Sequence, residues 1–232
     1  MDAMAVGQAT RLNPINFEPL HERVYRELRR ALMAGKFAPG ERLKPNSLAG
    51  DLGTSPMPVR AALSRLTAEH ALAKGDGGSI QVPLISRDAF RDIMETRILL
   101  EGCAAAKASG QLDAEGLAEL KDLARRLTAA TATDDIVAYL QLNQALKFSI
   151  YAHCGSPTLR LLIESLWLRA GPFLRFLARD IPGLVKINHH DDAIAAIEAN
   201  RPHAAEAAIQ RDIREGMLFL LKTAEFARDE DP

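Results

Sequence analysis

The sequence has few of the marks of an extracellular or membrane protein. It holds two cysteines, Cys103 and Cys154, too few for a disulfide framework and in keeping with a reducing cytoplasm. No apolar run is long enough to span a bilayer, and no secretory signal is expected. Aromatic residues make up only 5% of the chain. Alanine and leucine dominate its 47% hydrophobic fraction, which favours helix over sheet. Signatures of catalysis are missing too. There is no Gly-rich phosphate loop, no activated Ser or Cys motif and no tight carboxylate pair. No internal repeat or low-complexity tract is present. Residues 1–17 lack periodicity and are expected to form a flexible N-terminal arm. The 232 residues allow one or two domains.

Residues 18–83 carry the strongest local signals. A short helix is predicted over about Ser47 to Leu52, ending at Gly53, which tolerates positive φ. Ser55 is placed to cap a second helix, with Pro56 at its first position, where no backbone donor is needed. Val59, Leu63 and Leu66 give that helix an apolar stripe, and Arg60 falls off the stripe near its start. Val24, Leu28, Ala31 and Leu32 predict a preceding helix that ends near Gly35, and Pro39-Gly40 makes a turn. Leu72-Ala73-Lys74 and Ser79-Ile80-Gln81-Val82 bracket Gly75-Asp76-Gly77-Gly78, a hairpin with a Gly-rich tip. Ten Lys/Arg face seven Asp/Glu in residues 18–83, a net +3, while the whole chain carries −1. The asymmetry suits contacts to phosphates in the N-terminal part.

The pattern LxxxVYxxLRxALxxGxFxPGERL, followed by LAxxLGTSxxPVRxALxRLxAE, resembles the GntR family of bacterial transcription regulators. It runs from Leu20 to Val82. The resemblance implies a winged helix-turn-helix that grips double-stranded DNA. The candidate DNA-binding residues are Arg60, Asn46, Ser55, Lys44, Arg65 and the wing-tip Gly77 and Gly78. Arg60 is expected to read a guanine through O6 and N7. The family usually has Arg where this chain has Pro56, and often Arg or Glu where it has Asn46. The operator is therefore expected to differ from those of relatives.

From Arg87 onward the pattern is helical throughout. Amphipathic helices are predicted near 87–109, 113–131, 134–154, 157–179, 183–199 and 202–227. Gly110, Gly155 and Pro202 mark boundaries, with Asp113, Thr133 and Ser156 as caps. Gly171-Pro172 should kink or split the fourth of them. The fold class is thus mainly α: an N-terminal winged helix-turn-helix plus an all-helical antiparallel bundle over 87–228.

Several polar residues interrupt the apolar stripes. Asn143 and Lys147 fall in the stripe of Ile136, Leu140, Ile150 and Cys154. His190 lies in line with Ile187, Ile194 and Ile197. Asp212 and Gly216 lie in line with Ala205, Ile209 and Leu220, and Arg97 with Ile93, Leu100 and Ala104. A buried charge without a partner costs several kcal/mol, so these groups must meet one another, water or a ligand. Arg97 can also pair with Glu101 one turn on. His153 and Trp167 read as packing or surface residues.

The segments RILLEGCAAAKA, YLQLNQALKFSIYAHCGSPTLRLLIESL and HDDAIAAIEANRPHAAEAAIQRDI resemble the FCD effector-binding domain of the FadR-type GntR subgroup. Many FCD domains hold a divalent metal on an Asp, a His four residues on, and two later His. The resemblance puts Asn143, Lys147, His190 and Asp212 at those positions. Lysine and a carboxamide are poor ligands, so no metal and no cofactor is expected, although His190, Asp212 and His189 could retain one. Arg97, Asn143, Lys147, His190 and Asp212 are the candidate effector-binding residues, with a small organic acid as ligand. Lys147 and Asp212 could equally form a bracing salt bridge. The expected function is a cytoplasmic homodimeric regulator on a palindromic operator. An enzyme using Lys147, Asp212 and His190, or a DNA-binding protein with a dead sensor cavity, are the alternatives.

Overall fold

The computed structural model describes residues 18–132, 135–180 and 189–228. Among them are nine α-helices and three short strands. The N-terminal unit begins with α1 (Leu20–Met33), whose Val24, Leu28, Ala31 and Leu32 are buried as their spacing predicts. The chain leaves α1 through Gly35 and turns at Gly40, both at positive φ. Then follow β1 (Arg42–Leu43), α2 (Pro45–Asp51), α3 (Pro56–Ala68), β2 (Ala73–Lys74) and β3 (Ile80–Gln81). The strands form one antiparallel sheet in the order β1-β3-β2. This is a winged helix-turn-helix, with Gly77 and Gly78 at positive φ in the wing tip.

Three expectations need correction here. The sheet has a strand, β1, that was not foreseen, because two residues are too few to show alternation. Helix α2 starts at Pro45 rather than near Ser47, with proline in its first turn. Ser55 stands at the N-cap of α3, but its side chain accepts no capping bond. Capping bonds come from the second or third helical N–H, and the third residue is Pro58, which has none.

The bundle comprises α4 (Arg87–Ala108), α5 (Ala114–Ala132), α6 (Ile136–Ala152), α7 (Pro157–Leu174), a 3-10 turn (Arg175–Asp180), α8 (His190–Glu198) and α9 (Pro202–Thr223). Side-chain caps fix several starts. Asp113 accepts from Gly116 N at 2.8 Å, Asp135 from Ala138 N at 3.0 Å and Ser156 from Leu159 N at 3.3 Å. The expected cap Thr133, the arm 1–17 and the expected helix start with Ile187 lie outside the described residues. Helix α9 packs along α4 more extensively than any other pair. The helix expected to reach 227 stops at Thr223, and the chain then runs back to the linker. There Ala227 N donates to the Ile85 carbonyl at 2.9 Å. Phe226 stacks on Phe173 at 5.5 Å and meets Phe90 at 5.4 Å.

Gly171-Pro172 does not split α7, which continues to Leu174. Pro172 removes one helical donor, and the helix tightens into the 3-10 turn only from Arg175. Gly171 has another role. The end of α1 lies against it so closely that a Cβ there would sit 2.5 Å from the Leu32 carbonyl oxygen and 2.6 Å from Met33 Cα. Arg29 bridges to Glu164 of α7 at 2.9 Å across the same contact. The winged unit is thus docked on the bundle, backbone to backbone.

Candidate nucleic-acid interface and buried polar cavity

Helix α3 divides cleanly into two faces. Val59, Ala62, Leu63 and Leu66 are buried. Met57, Arg60, Ala61 and Ser64, at offsets of 0, 3, 4 and 7, are all exposed. Arg60 has no ion pair or hydrogen bond among the described residues, so its five donors are free for a base or phosphate. Ser55, Lys44 and Asn46 are exposed beside it at the starts of α3 and α2. The wing-tip Gly77 and Gly78 are open, with nothing within 4 Å of a Cβ built on either. These expected residues gather at the helix starts and the wing tip.

Arg65 stands apart from them. It pairs with Glu22 at 3.0 Å and Glu69 at 3.2 Å, and its guanidinium lies 3.8 Å from the Tyr25 ring centre. Tyr25 in turn donates to Glu69 at 2.6 Å. Burial and that hydrogen bond push the Tyr25 phenol up to about 12. The network ties α3 to α1, so Arg65 helps to hold the frame of α3.

In the bundle, four of the five expected effector residues line one cavity. Arg97, Asn143, Lys147 and Asp212 surround it together with Tyr139, Met94, Leu177 and Leu220. Its free space is only about 40 Å³, room for roughly one water molecule. His190 does not line it but lies behind Asp212, with Nε2 at 3.7 Å from Oδ2. Tyr139 was missed by the sequence reading, although it precedes Asn143 by one turn on the same stripe. A wider, open cleft of about 430 Å³ lies between α1 and α6, beside Arg30 and Lys36. Both cations are exposed there, which is ordinary solvation.

Two ion pairs organise the cavity. Lys147, 2% exposed, holds Asp212 at 2.6 Å. No further hydrogen bond to its ammonium forms among the described residues. Burial alone would raise the Asp212 carboxyl, but Lys147, His190 and hydrogen bonds from Lys147 and the His189 amide hold it down at about 2. Burial lowers the His190 imidazole, with Lys147 adding to the effect and Asp212 opposing it. Burial thus favours the neutral form of His190 beside the Asp212 carboxylate. Arg97 Nε donates to Glu101 at 2.7 Å, and Tyr151 donates to the other carboxylate oxygen at 2.6 Å. The Arg97 guanidinium covers the Trp167 ring at 4.4 Å. Among the described residues its Nη1 meets only the Met94 thioether, at 3.3 Å, which is a weak acceptor. Lys147 and Arg97 thus keep donor capacity that their carboxylate partners do not take up.

Comparison with known proteins matches both halves. Residues 20–82 match the gntR family of bacterial regulatory proteins, and residues 92–215 match the FCD domain. The chain is 30% identical over 200 residues to the HTH-type transcriptional regulator McbR of Escherichia coli strain K12, which covers 85% of this chain and 90% of McbR. This is a GntR-family transcription regulator with an FCD domain. The solved McbR structure from E. coli superposes on this GntR regulator with a TM-score of 0.84 at 29% identity, over 89% of this chain and 99% of that one. The HTH-type transcriptional repressor GlaR of E. coli strain K12 is 29% identical over 148 residues, 62% of this chain and 67% of GlaR. A regulator structure from Rhodococcus sp. RHA1 shares the fold, with a TM-score of 0.70 at 20% identity, over 88% of this chain and 99% of that one.

The divalent metal found in many FCD domains does not fit the residues of this GntR regulator. A buried ammonium, Lys147, occupies one ligand position and is already paired with the carboxylate at another. A carboxamide, Asn143, fills a third. The cavity presents a cation where a metal would need an electron pair.

Proposed function

We propose that this regulator binds a palindromic operator as a homodimer in the cytoplasm and that a small carboxylate controls it through the buried cavity. The single observation that carries the effector reading is this spare capacity: Lys147 and Arg97 each have donor capacity beyond their carboxylate partners. An incoming carboxylate supplies the acceptors that are missing. Support for a dimer comes from exposed leucines on the bundle, including Leu99 on α4 at 66% and Leu218 on the adjacent α9 at 50%.

Ligand pockets in proteins span about 300–1,000 Å³, so on this reading the cavity of about 40 Å³ widens to admit the effector. A carboxylate competing for Lys147 would release Asp212 and shift α9 against α4. Coupling of about 1–3 kcal/mol is enough for regulation. The small volume also favours a second reading, in which the cavity is permanently filled and the protein binds DNA without an effector.

The experiment is a titration against the chain's own upstream DNA, with and without a panel of small carboxylic acids. Arg60→Ala should cost about 1–3 kcal/mol of specific binding and leave binding to random DNA nearly unchanged. At least one acid should shift both operator affinity and melting temperature of the native chain, and Lys147→Met should abolish both shifts. A full response in Lys147→Met would place the effector elsewhere. No response in the native chain to any acid would favour the filled cavity.

A further inference from the structure

We propose that Met57 reads a thymine methyl group in the major groove. The inference rests on the reading of α3 as the helix that enters the groove. Met57 is 79% exposed, more than any other large hydrophobic residue described. A single exposed hydrophobic residue is ordinary on a protein surface, but this one occupies the first turn of α3, and recognition helices contact base edges through their N-terminal residues.

Its neighbours make the position more specific. Pro56 and Pro58 flank it inside the helix, and neither has a backbone N–H. The first turn therefore meets DNA mainly through side chains: the uncapped Ser55, Met57, and Arg60 three residues on. Ala61 and Ser64 complete the exposed face. They are small, so the helix can approach the groove floor closely.

Methionine has no donor, and its thioether is a weak acceptor. It rewards only an apolar feature, and in the major groove that feature is the thymine C5-methyl. Against adenine or cytosine it would strip water from a polar edge and return no hydrogen bond. The rise from Met57 to Arg60 is about 4.5 Å along the helix, against about 3.4 Å per base step. The two side chains thus fall on neighbouring base pairs, a thymine beside the guanine that Arg60 reads.

The test uses the full chain and a randomised duplex library. Enriched sites are resynthesised with each thymine replaced in turn by deoxyuracil, which lacks only the methyl group. One thymine per half-site, next to a guanine, should lose about fourfold in affinity, one buried methyl group's worth. 5-Methylcytosine at that place should bind better than cytosine. Met57→Ala, whose side chain touches no core, should keep its melting temperature and bind thymine and uracil sites alike. If uracil is tolerated at every position, or if the sensitive thymine stays sensitive in Met57→Ala, Met57 reads nothing. If no sequence is enriched at all, the groove reading of α3 falls and this inference with it.

Discussion

Glu101→Ala should be among the most destabilising single substitutions in this chain. Glu101 is fully buried, and among the described residues it is the one carboxylate that Arg97 reaches, at 2.7 Å. Truncating it leaves a guanidinium in the core with only a thioether and the Trp167 face for company. It also strips Tyr151 of its 2.6 Å acceptor. Removing one partner of a buried ion pair costs about 3–5 kcal/mol. For a protein of this size that lowers the melting temperature by about 6–20 °C. Replacing the pair together, Arg97→Met with Glu101→Leu, should recover most of the loss, because the desolvated charges go as well. Thermal melts of the three chains test this. A single variant within about 1 kcal/mol of the native chain would show that the pair is not as dry as its geometry implies.

Gly171→Ala poses two effects of opposite sign. Within a helix, glycine to alanine stabilises by up to about 1 kcal/mol. Here the added methyl would lie 2.5 Å from the Leu32 oxygen and 2.6 Å from Met33 Cα. Both are backbone atoms, so no side chain can rotate out of the way. Overpacking of this kind costs about 1–3 kcal/mol, and the clash wins. The relief available is for α1 to retreat from α7, parting Arg29 from Glu164. The variant should therefore show faster proteolysis between Leu84 and Arg87. It should also lose the effector's influence on DNA while its intrinsic operator affinity stays near native. Leu174 and Leu177, just beyond Gly171, line the Lys147 cavity, so the joint and the sensor share one segment. An unchanged cleavage rate together with full effector coupling would count against the joint.

The parts of this molecule legible in the sequence are those fixed by local chemistry. Gly35, Gly40, Gly53 and the wing glycines adopt positive φ because only a residue without Cβ does so cheaply. The polar residues on inward stripes did converge, since helical periodicity dictates which side faces in. Distance along the chain set the limit. Arg65 looked free for DNA, because Glu22, 43 residues away, is invisible to spacing. Gly171 read as a helix breaker because its reason for being glycine belongs to α1. Cavity volume was not legible either, as it depends on how every lining side chain packs. The Ser55 cap was a different case: Pro58 stood in view three residues on and removed one of the two N–H groups that could make the bond.

The pairing of α4 with α9 has a consequence for how the protein is made. The first helix of the bundle has as its main partner the last one. During synthesis, the winged unit can begin to fold as it emerges, since α1, α2, α3 and the three strands pack on one another within residues 20–82. Helix α4 must then wait for more than ninety further residues, from Ala108 to Pro202, before α9 begins to arrive. Over that interval Phe90, Ile93, Met94 and the Arg97 guanidinium have no completed core to enter. Contacts between distant parts of a chain form slowly, and exposed apolar faces invite misassembly in the meantime. The nascent regulator is thus a folded DNA-binding head ahead of an open bundle, which the tail through Phe226 and Ala227 closes last.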